Sequence, residues 1–257
     1  MMIEESIYLE SFADRPYPIE SDHSFADRFA HIPRGNTCPG VNRLIIRRLV
    51  QYFEHRRFRI LDAPCGTGVF LEAVSRILPR AELHGCDVVE PDRRSSFQFS
   101  QADLQKGAPM DQDSKFDAIT CISGVMEFDN TLAFLSGLRN SITSGGLLLV
   151  TNDNLLTVRD RLMYLLQGRF GQYPFDVDRG TSTWKVIPLQ NLIRLLREAG
   201  FELETIEYTS PSAGSWCWLP LALPLHLLQK IMASKLVQYL PLKGLMSRHY
   251  VLVCRPV

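Results

Sequence analysis

The loop at residues 59–68 constrains the fold more than any other part of this 257-residue chain. An apolar run ends at Asp62, a turn containing Gly66 and Gly68 follows, and helical spacing of apolar residues begins at Phe70. This order predicts a strand, a loop and a helix N-terminus. Glycines let a ligand approach the backbone closely, and free N–H groups at a helix start attract an anion. The loop is therefore predicted to bind an anionic ligand group.

Strands and helices alternate along the rest of the chain, as judged from apolar runs and from the spacing of apolar residues. The predicted strands span residues 58–62, 81–87, 97–101, 115–123, 147–151, 201–208 and 249–254. The predicted helices span residues 41–53, 69–78, 131–142, 158–166 and 189–199. Such alternation predicts an α/β fold, a Rossmann-like, doubly wound and mostly parallel sheet of seven strands with helical insertions.

Polar residues stand at or just beyond the carboxyl ends of the first four predicted strands. They are Asp62, Asp87, Asp103 and Ser123. Ligands of doubly wound sheets bind outside these ends of the strands. Their shared position therefore predicts one binding site that is built from four segments of the chain.

Two kinds of nucleotide ligand compete for this site. The dinucleotide fingerprint requires Gly or Ala where this chain has Leu71, which disfavours NAD. Asp62 would repel a pyrophosphate but suits a cationic amine. Asp87 can accept both hydroxyls of a ribose. Asp103 can accept the adenine amino group, although a turn or a helix cap is an equal interpretation. Together these features predict S-adenosylmethionine, with an NAD(P)-dependent oxidoreductase as the alternative.

The region from residue 59 to about residue 151 resembles the core of the class I S-adenosylmethionine-dependent methyltransferases, in their small-molecule group. The first motif is Leu61-Asp62-Ala63-Pro64-Cys65-Gly66-Thr67-Gly68, with Pro64 in place of the family's first glycine. Acids at 87 and 103, the fourth strand with the turn at 123–127, and the Ser-Gly-Gly turn at 144–146 follow in order. We expect the cofactor to contact Asp62, Ala63, Pro64, Gly66, Thr67, Gly68, Asp87, Val88, Asp103, Leu104, Ser123 and Met126.

The resemblance implies methyl transfer to a small or amphiphilic molecule, most simply at oxygen. The sulfonium is already activated, so alignment of the acceptor carries most of the rate. Transfer to a hydroxyl usually adds a base. The weak candidates for this base are His23, His31 and Asp153, and no spacing distinguishes them. A non-catalytic protein that binds S-adenosylmethionine and assists a partner is therefore a further alternative.

Charge and cysteine spacing disfavour other classes of protein. Lysine plus arginine equals aspartate plus glutamate at 28 each, which argues against a nucleic-acid partner. The six cysteines form no C-x-x-C pair and lie near no histidine cluster, so no metal is expected. The first residues show no basic region followed by an apolar stretch, so we expect a cytoplasmic protein, possible membrane contact aside.

We expect one domain over residues 1–257, with three parts. Residues 1–39 form an N-terminal arm or lid, residues 40–151 the cofactor-binding core, and residues 152–257 the substrate-side helices and last strands. Within the last part, residues 216–228 are almost wholly apolar and contain two prolines, and a possible amphipathic helix follows at 231–240. At roughly a dozen residues, the apolar run is too short to cross a bilayer. Residues 216–240 are interpreted as a pocket cap, a dimer contact or a peripheral membrane surface for a lipid-like substrate.

Overall fold

The computed structural model describes residues 32–35, 37–91, 96–106, 115–171, 173, 185–232 and 239–257. Seven strands form one sheet in the order β3-β2-β1-β4-β5-β7-β6. β7 runs antiparallel to both of its neighbours, and the other neighbouring strands are parallel. The strands are β1 Phe58–Asp62, β2 Ala81–Asp87, β3 Gln98–Gln101, β4 Phe116–Cys121, β5 Ile142–Asp153, β6 Phe201–Tyr208 and β7 His249–Pro256. The predicted fold class is confirmed.

Five α-helices lie close to their predicted positions, and a sixth lies within the apolar segment at 216–240. They are α1 Val41–Phe53, α2 Val69–Ile77, α3 Thr131–Ser141, α4 Val158–Gln167, α5 Leu189–Glu198 and α6 Leu219–Met232. A side chain caps α3 and another caps α4: Asn130 accepts the Ala133 N–H, and Thr157 accepts the Asp160 N–H. Every helix in the described part of the chain is too short or too polar to span a bilayer.

One predicted turn is wrong. Residues 144–146 belong to β5, which begins at Ile142 instead of residue 147. Phe116 pairs with Ile142 and Ala118 pairs with Leu147, so the residues between the two pairs form a bulge. Gly145 and Gly146 therefore lie in the bulge inside β5 instead of in a turn before it. Glycine within a strand often marks a bulge.

Both faces of the sheet are covered, which is the physical basis of the doubly wound fold. In β5, Leu147 and Leu149 pack with α1 and α2, whereas Leu148 and Val150 pack with α3 and α5. Full burial of each such side chain stabilises the fold by about 2 kcal/mol. An almost continuous apolar run in the strand reflects this burial on two sides.

The last residues of the predicted arm, from residue 32 onward, lie over the carboxyl ends of the strands. Asn42 of α1 donates to the carbonyl oxygens of Pro33 at 2.9 Å and Arg34 at 3.1 Å. The hydroxyls of Thr37 and Ser123 are 2.9 Å apart. These bonds hold Pro33, Arg34 and Thr37 beside the turn after β4. The remainder of the arm, residues 1–31 and 36, lies outside the described residues.

Candidate active site

A cavity of about 370 Å³ lies at the carboxyl ends of the strands. It sits at the switch point between β1 and β4, where the strand order reverses. Its volume falls within the usual range of small-molecule sites. Seven of the predicted cofactor residues line this cavity, hereafter the cofactor cavity: Asp62, Pro64, Gly66, Thr67, Asp87, Ser123 and Met126.

A neighbouring cavity of about 410 Å³ shares Pro64 and Asp87 with the cofactor cavity. Three more predicted residues line it: Val88, Asp103 and Leu104. The last two predicted residues are not among those lining either cavity. Ala63 is fully buried under the loop, and Gly68 precedes α2 with a φ of 76°. The structure therefore brings ten of the twelve predicted residues to one continuous region.

The carboxylate of Asp87 holds the glycine loop in place. One oxygen accepts the Gly66 N–H at 2.8 Å, and the other accepts the Val88 N–H at 2.7 Å. Gly66 has a φ of 52°, a conformation that favours glycine. A carboxylate offers about four acceptor positions, so Asp87 keeps capacity for ligand hydroxyls.

The turn after β4 packs against this loop at a distance that only glycine allows. A Cβ added at Gly124 would lie 2.3 Å from Cδ of Pro64. The preceding residue, Ser123, has a φ of 54°, which is unusual outside glycine. Its N–H donates to the Thr151 hydroxyl at 2.7 Å. Such backbone strain clusters at functional sites.

Asp62 is a buried acid whose partner in the structure is uncharged. It is 2% exposed, and its Oδ1 accepts the Thr120 hydroxyl at 2.6 Å. Burial raises the pKa of Asp62 to about 8, the nearby Asp87 charge adds to this rise, and the Thr120 bond opposes it. Within the described residues it forms no ion pair. A cationic ligand group would supply this missing charge, which fits the amine of S-adenosylmethionine.

Asp103 caps a turn, which is one of the two roles that the sequence allowed for it. Its carboxylate accepts the Gln105 N–H at 3.1 Å and lies 3.4 Å from Nζ of Lys106. The same residue also lines the neighbouring cavity. The two interpretations are therefore compatible, because a carboxylate that caps a turn still has free lone pairs.

A buried ion pair joins β5 to β7 at the wall of the cofactor cavity. Oδ1 of Asp153 lies 2.6 Å from Nε2 of His249, and both side chains are 7% exposed. The Tyr173 hydroxyl donates to Oδ2 of Asp153 at 3.2 Å. Burial lowers the pKa of His249, but interactions with Asp153 and Cys38 outweigh it and raise the pKa to about 9.

Of the three predicted base candidates, Asp153 lies at the site, whereas His23 and His31 lie outside the described residues. His249 was missed. Its position held a signal, because it is the first residue of the predicted last strand. Antiparallel pairing with β5 places the start of one strand beside the end of the other, here Asp153 opposite His249.

Asn42 also lines the cofactor cavity, from α1. It is 4% exposed, and both bonds to the arm use its Nδ2. Its Oδ1 has no hydrogen-bond partner among the described residues. A buried acceptor without a donor is costly, so a ligand hydroxyl or amine would satisfy it.

Comparisons with known proteins agree with this geometry. Residues 36–206, more than half of the chain, match the family described as "Methyltransferase domain". A curated relative, "Uncharacterized protein syc1184_c" of Synechococcus sp. (strain ATCC 27144 / PCC 6301 / SAUG 1402/1), is 28% identical over 166 residues. That match covers 58% of this chain and 39% of the relative, so the chain spans well under two thirds of the relative's length.

Two solved structures share the fold. The [4+2]-cyclase SpnF is 20% identical with a TM-score of 0.52, covering 84% of this chain and 80% of its own. The CurJ carbon methyltransferase is 17% identical with a TM-score of 0.50, covering 84% of this chain and 53% of its own. At these identities the likeness concerns the fold alone, because one fold hosts many reactions.

Proposed function

Because the chain belongs to the methyltransferase-domain family and is an S-adenosylmethionine-dependent enzyme, we propose that it methylates an oxygen atom of a small or amphiphilic molecule. The observation that supports oxygen is the Asp153–His249 pair at the wall of the cofactor cavity. A hydroxyl must lose its proton as it attacks, and this pair is the proton-accepting group suited to that step.

We propose the following contacts for the cofactor. Asp62 binds the amine, and the N–H groups of the loop at 66–68 bind the carboxylate. Asp87 binds the ribose hydroxyls, and Asp103 with Leu104 and Val88 encloses the adenine. The remaining predicted residues, Ala63, Pro64, Ser123 and Met126, shape the loop and the opposite wall. Bound S-adenosylmethionine supplies an activated methyl group, and the protein orients the acceptor toward it.

His249 is proposed as the base. Its Nε2 is engaged by Asp153, and the Cys38 side chain also bonds the ring, so we assign the proton transfer to Nδ1. Asp153 fixes the ring and stabilises the imidazolium that forms. Because the pKa of His249 is raised to about 9, the ring is protonated at neutral pH and accepts a proton only after losing this one. The rate is therefore expected to rise with pH toward about 9.

Isothermal titration with S-adenosylmethionine and with NAD tests the class of protein. Binding heat with S-adenosylmethionine and none with NAD supports the proposal. No binding heat with S-adenosylmethionine at concentrations well above micromolar contradicts it. Turnover on hydroxylated acceptors then separates an enzyme from a binding protein. His249→Gln is expected to remove the pH-dependent rise and leave S-adenosylmethionine affinity intact. His55→Gln, on the exposed turn after α1, is the control. An unchanged pH profile in His249→Gln would reject the base assignment.

We further propose that α6 contacts a membrane surface or the lipid-like part of an acceptor. Its outer side chains are exposed, with Ile231 at 82% and Met232 at 75%. The exposed apolar end of α4, residues 164–166, belongs to the same region, because Arg161 lies beside Gln229. Among described residues, none from α6 lines the cofactor cavity, which disfavours a pocket cap. Exposed apolar surface of this kind marks an interaction site.

Liposome flotation tests the surface. The variant Trp216→Ser/Ile231→Ser is expected to reduce co-flotation, because both side chains are exposed and apolar, Ile231 on α6 and Trp216 three residues before its start. Leu132→Ser, an exposed position on α3, is the matched control. Concentration-dependent dimerisation of the wild type without co-flotation would replace the membrane proposal with a dimer contact.

A further inference from the structure

A second chamber of about 580 Å³ adjoins the cofactor cavity. Four residues line both spaces: Arg34, Cys38, Asn42 and His249. The chamber therefore begins on the far side of the buried His249, between α1, the arm and the loop before β7. We call it the cationic chamber, for the residues described next.

Five basic residues line the cationic chamber: Arg34, Arg43, Arg47, Lys243 and Arg248. Its described lining contains no aspartate or glutamate. Arg47 lies 3.3 Å from Glu207, outside the lining. Arg43, Lys243 and Arg248 form no ion pair with any residue that the structure describes. Several like charges in one concave space create a strong positive potential that draws anions inward.

The chamber also offers neutral hydrogen-bond groups. Thr209, Ser210 and Ser212 line it beside the basic side chains. Hydroxyl and guanidinium groups donate to carboxylate and phosphate oxygens, and the charge-assisted bonds are the stronger kind. The basic residues come from three separate segments of the chain. A ligand anion would therefore be held from several directions.

The wall between the two spaces suits a different ligand group. Oδ1 of Asn42 is a buried acceptor without a described donor, and Asn42 lines both spaces. His249 lines both spaces as well. A hydroxyl placed here would donate to Asn42 or to a neutral His249. One molecule with an anionic end and a hydroxyl end would satisfy the chamber and the wall together.

We propose that the methyl acceptor is a hydroxylated organic anion, whose carboxylate or phosphate binds in the cationic chamber. Its hydroxyl then reaches past Asn42 and His249 to the cofactor cavity. The proposal rests on the proposed function, since it places the acceptor relative to the S-adenosylmethionine site. On methyl transfer, the acceptor oxygen forms a bond to the methyl carbon, the carbon–sulfur bond breaks, and the hydroxyl proton passes to His249.

The test measures binding to the full chain saturated with S-adenosylhomocysteine. The probes are para-hydroxybenzoate, para-hydroxyphenyl phosphate and the neutral para-hydroxybenzamide. Both anions, or one of them, are expected to bind about tenfold or more tightly than the amide. The preferred anion identifies the carboxylate or the phosphate class. Added salt is expected to weaken anion binding and not amide binding.

The variant Arg43→Gln/Arg248→Gln is expected to remove this preference, whereas Arg194→Gln, an exposed arginine on α5, leaves it intact. Equal binding of the anions and the amide, or an equal loss in the Arg194 control, overturns the chamber proposal. Failure of S-adenosylhomocysteine to bind instead overturns the proposed function. The two failures are distinguished because cofactor binding is measured first, without any acceptor.

Discussion

Two buried acids stand at the ends of two parallel strands that flank β4, and both face the same cavity. Asp62 ends β1, and Asp153 ends β5 on the other side of β4. The described partner of Asp62 is a neutral hydroxyl, at 2.6 Å. The partner of Asp153 is the ring of His249, at 2.6 Å. The two sites differ in whether the protein itself provides the balancing cation.

Under the proposed function, this difference separates a binding group from a catalytic group. Asp62 has a pKa near 8 because burial disfavours its charge, so a cationic ligand completes its site. The Asp153 site is complete before any ligand arrives, because His249 occupies it. Binding energy is therefore available at Asp62, whereas proton transfer is available at the Asp153–His249 pair.

The largest effect is expected from Asp153→Asn. Removing one member of a buried ion pair leaves an uncompensated charge, which lowers the free energy of unfolding by about 3 kcal/mol. Denaturant unfolding at pH 7 measures the loss. The difference from wild type should shrink above about pH 9, where His249 is already neutral. Asp129→Asn, at an exposed pair with Lys185, is the control and should change little. Equal stability of the Asp153 and Asp129 variants would mean that the buried pair is not formed.

Asp62→Asn is expected to act on the ligand and not on the fold. Asparagine keeps an acceptor for Thr120 but loses the charge, so S-adenosylmethionine affinity should fall by about 2 kcal/mol, or roughly thirtyfold. The thermal midpoint should stay equal or rise, because a group that is costly to ionise is removed. Titration calorimetry and thermal unfolding measure the two quantities. If Asp62→Asn instead lost stability and kept its S-adenosylmethionine affinity, Asp62 would be a structural group and not a binding group.

Proton release provides a finer measurement of the same contrast. At pH 7 a carboxyl with a pKa near 8 is mostly protonated, so binding a cationic amine should release close to one proton. The binding free energy should then change by about 1.4 kcal/mol per pH unit. Calorimetry in buffers of different ionisation enthalpy measures this number. Asp62→Asn should release none, and His249→Gln should release as many as wild type.

The two groups also leave separate marks on stability. Each folded-state pKa is raised, so each contribution is present at low pH and lost as pH rises through that value. For Asp62 the window lies between 3.8 and about 8, and for His249 between 6.5 and about 9. The free energy of unfolding should therefore depend less on pH than in the wild type. For Asp62→Asn this is expected in the lower window, and for His249→Gln in the upper window.

The same comparison explains what the sequence could predict. The Asp62 side of the site is encoded by one contiguous loop plus strand ends in chain order, so motif and spacing predicted it. The acceptor side is assembled from residues 38, 42, 153 and 249, which lie on the arm, α1, β5 and β7, and the pairing of β7 with β5 brings the last two together. A local sequence pattern does not predict a contact between residues so far apart in the chain. His249 was missed for this reason, and the basic residues of the chamber were not predicted as a site.

The loop side also depends on close packing, which Gly124→Ala tests. The added methyl group would meet the Pro64 ring at 2.3 Å, so the loop or the turn must move. We expect about a fivefold loss of S-adenosylmethionine affinity, or about 1 kcal/mol. At Gly145 no described atom lies within 4 Å of an added Cβ, so Gly145→Ala is the control. Equal affinity in both variants would show that the loop tolerates displacement.

The smallest effect is expected from Asp103→Ala. Its carboxylate is partly exposed and already caps the Gln105 N–H, so a bond to the adenine amino group would be shared with solvent. An intramolecular or ligand hydrogen bond of this kind contributes about 0.5–1 kcal/mol, or a two- to fivefold change in affinity. Loss of the cap alone would lower stability and leave discrimination between adenosine and inosine analogues of the cofactor unchanged. Comparing both analogues in wild type and variant therefore separates the two roles. A preference for the adenine form that disappears in Asp103→Ala assigns the contact, and a preference that persists assigns Asp103 to the turn.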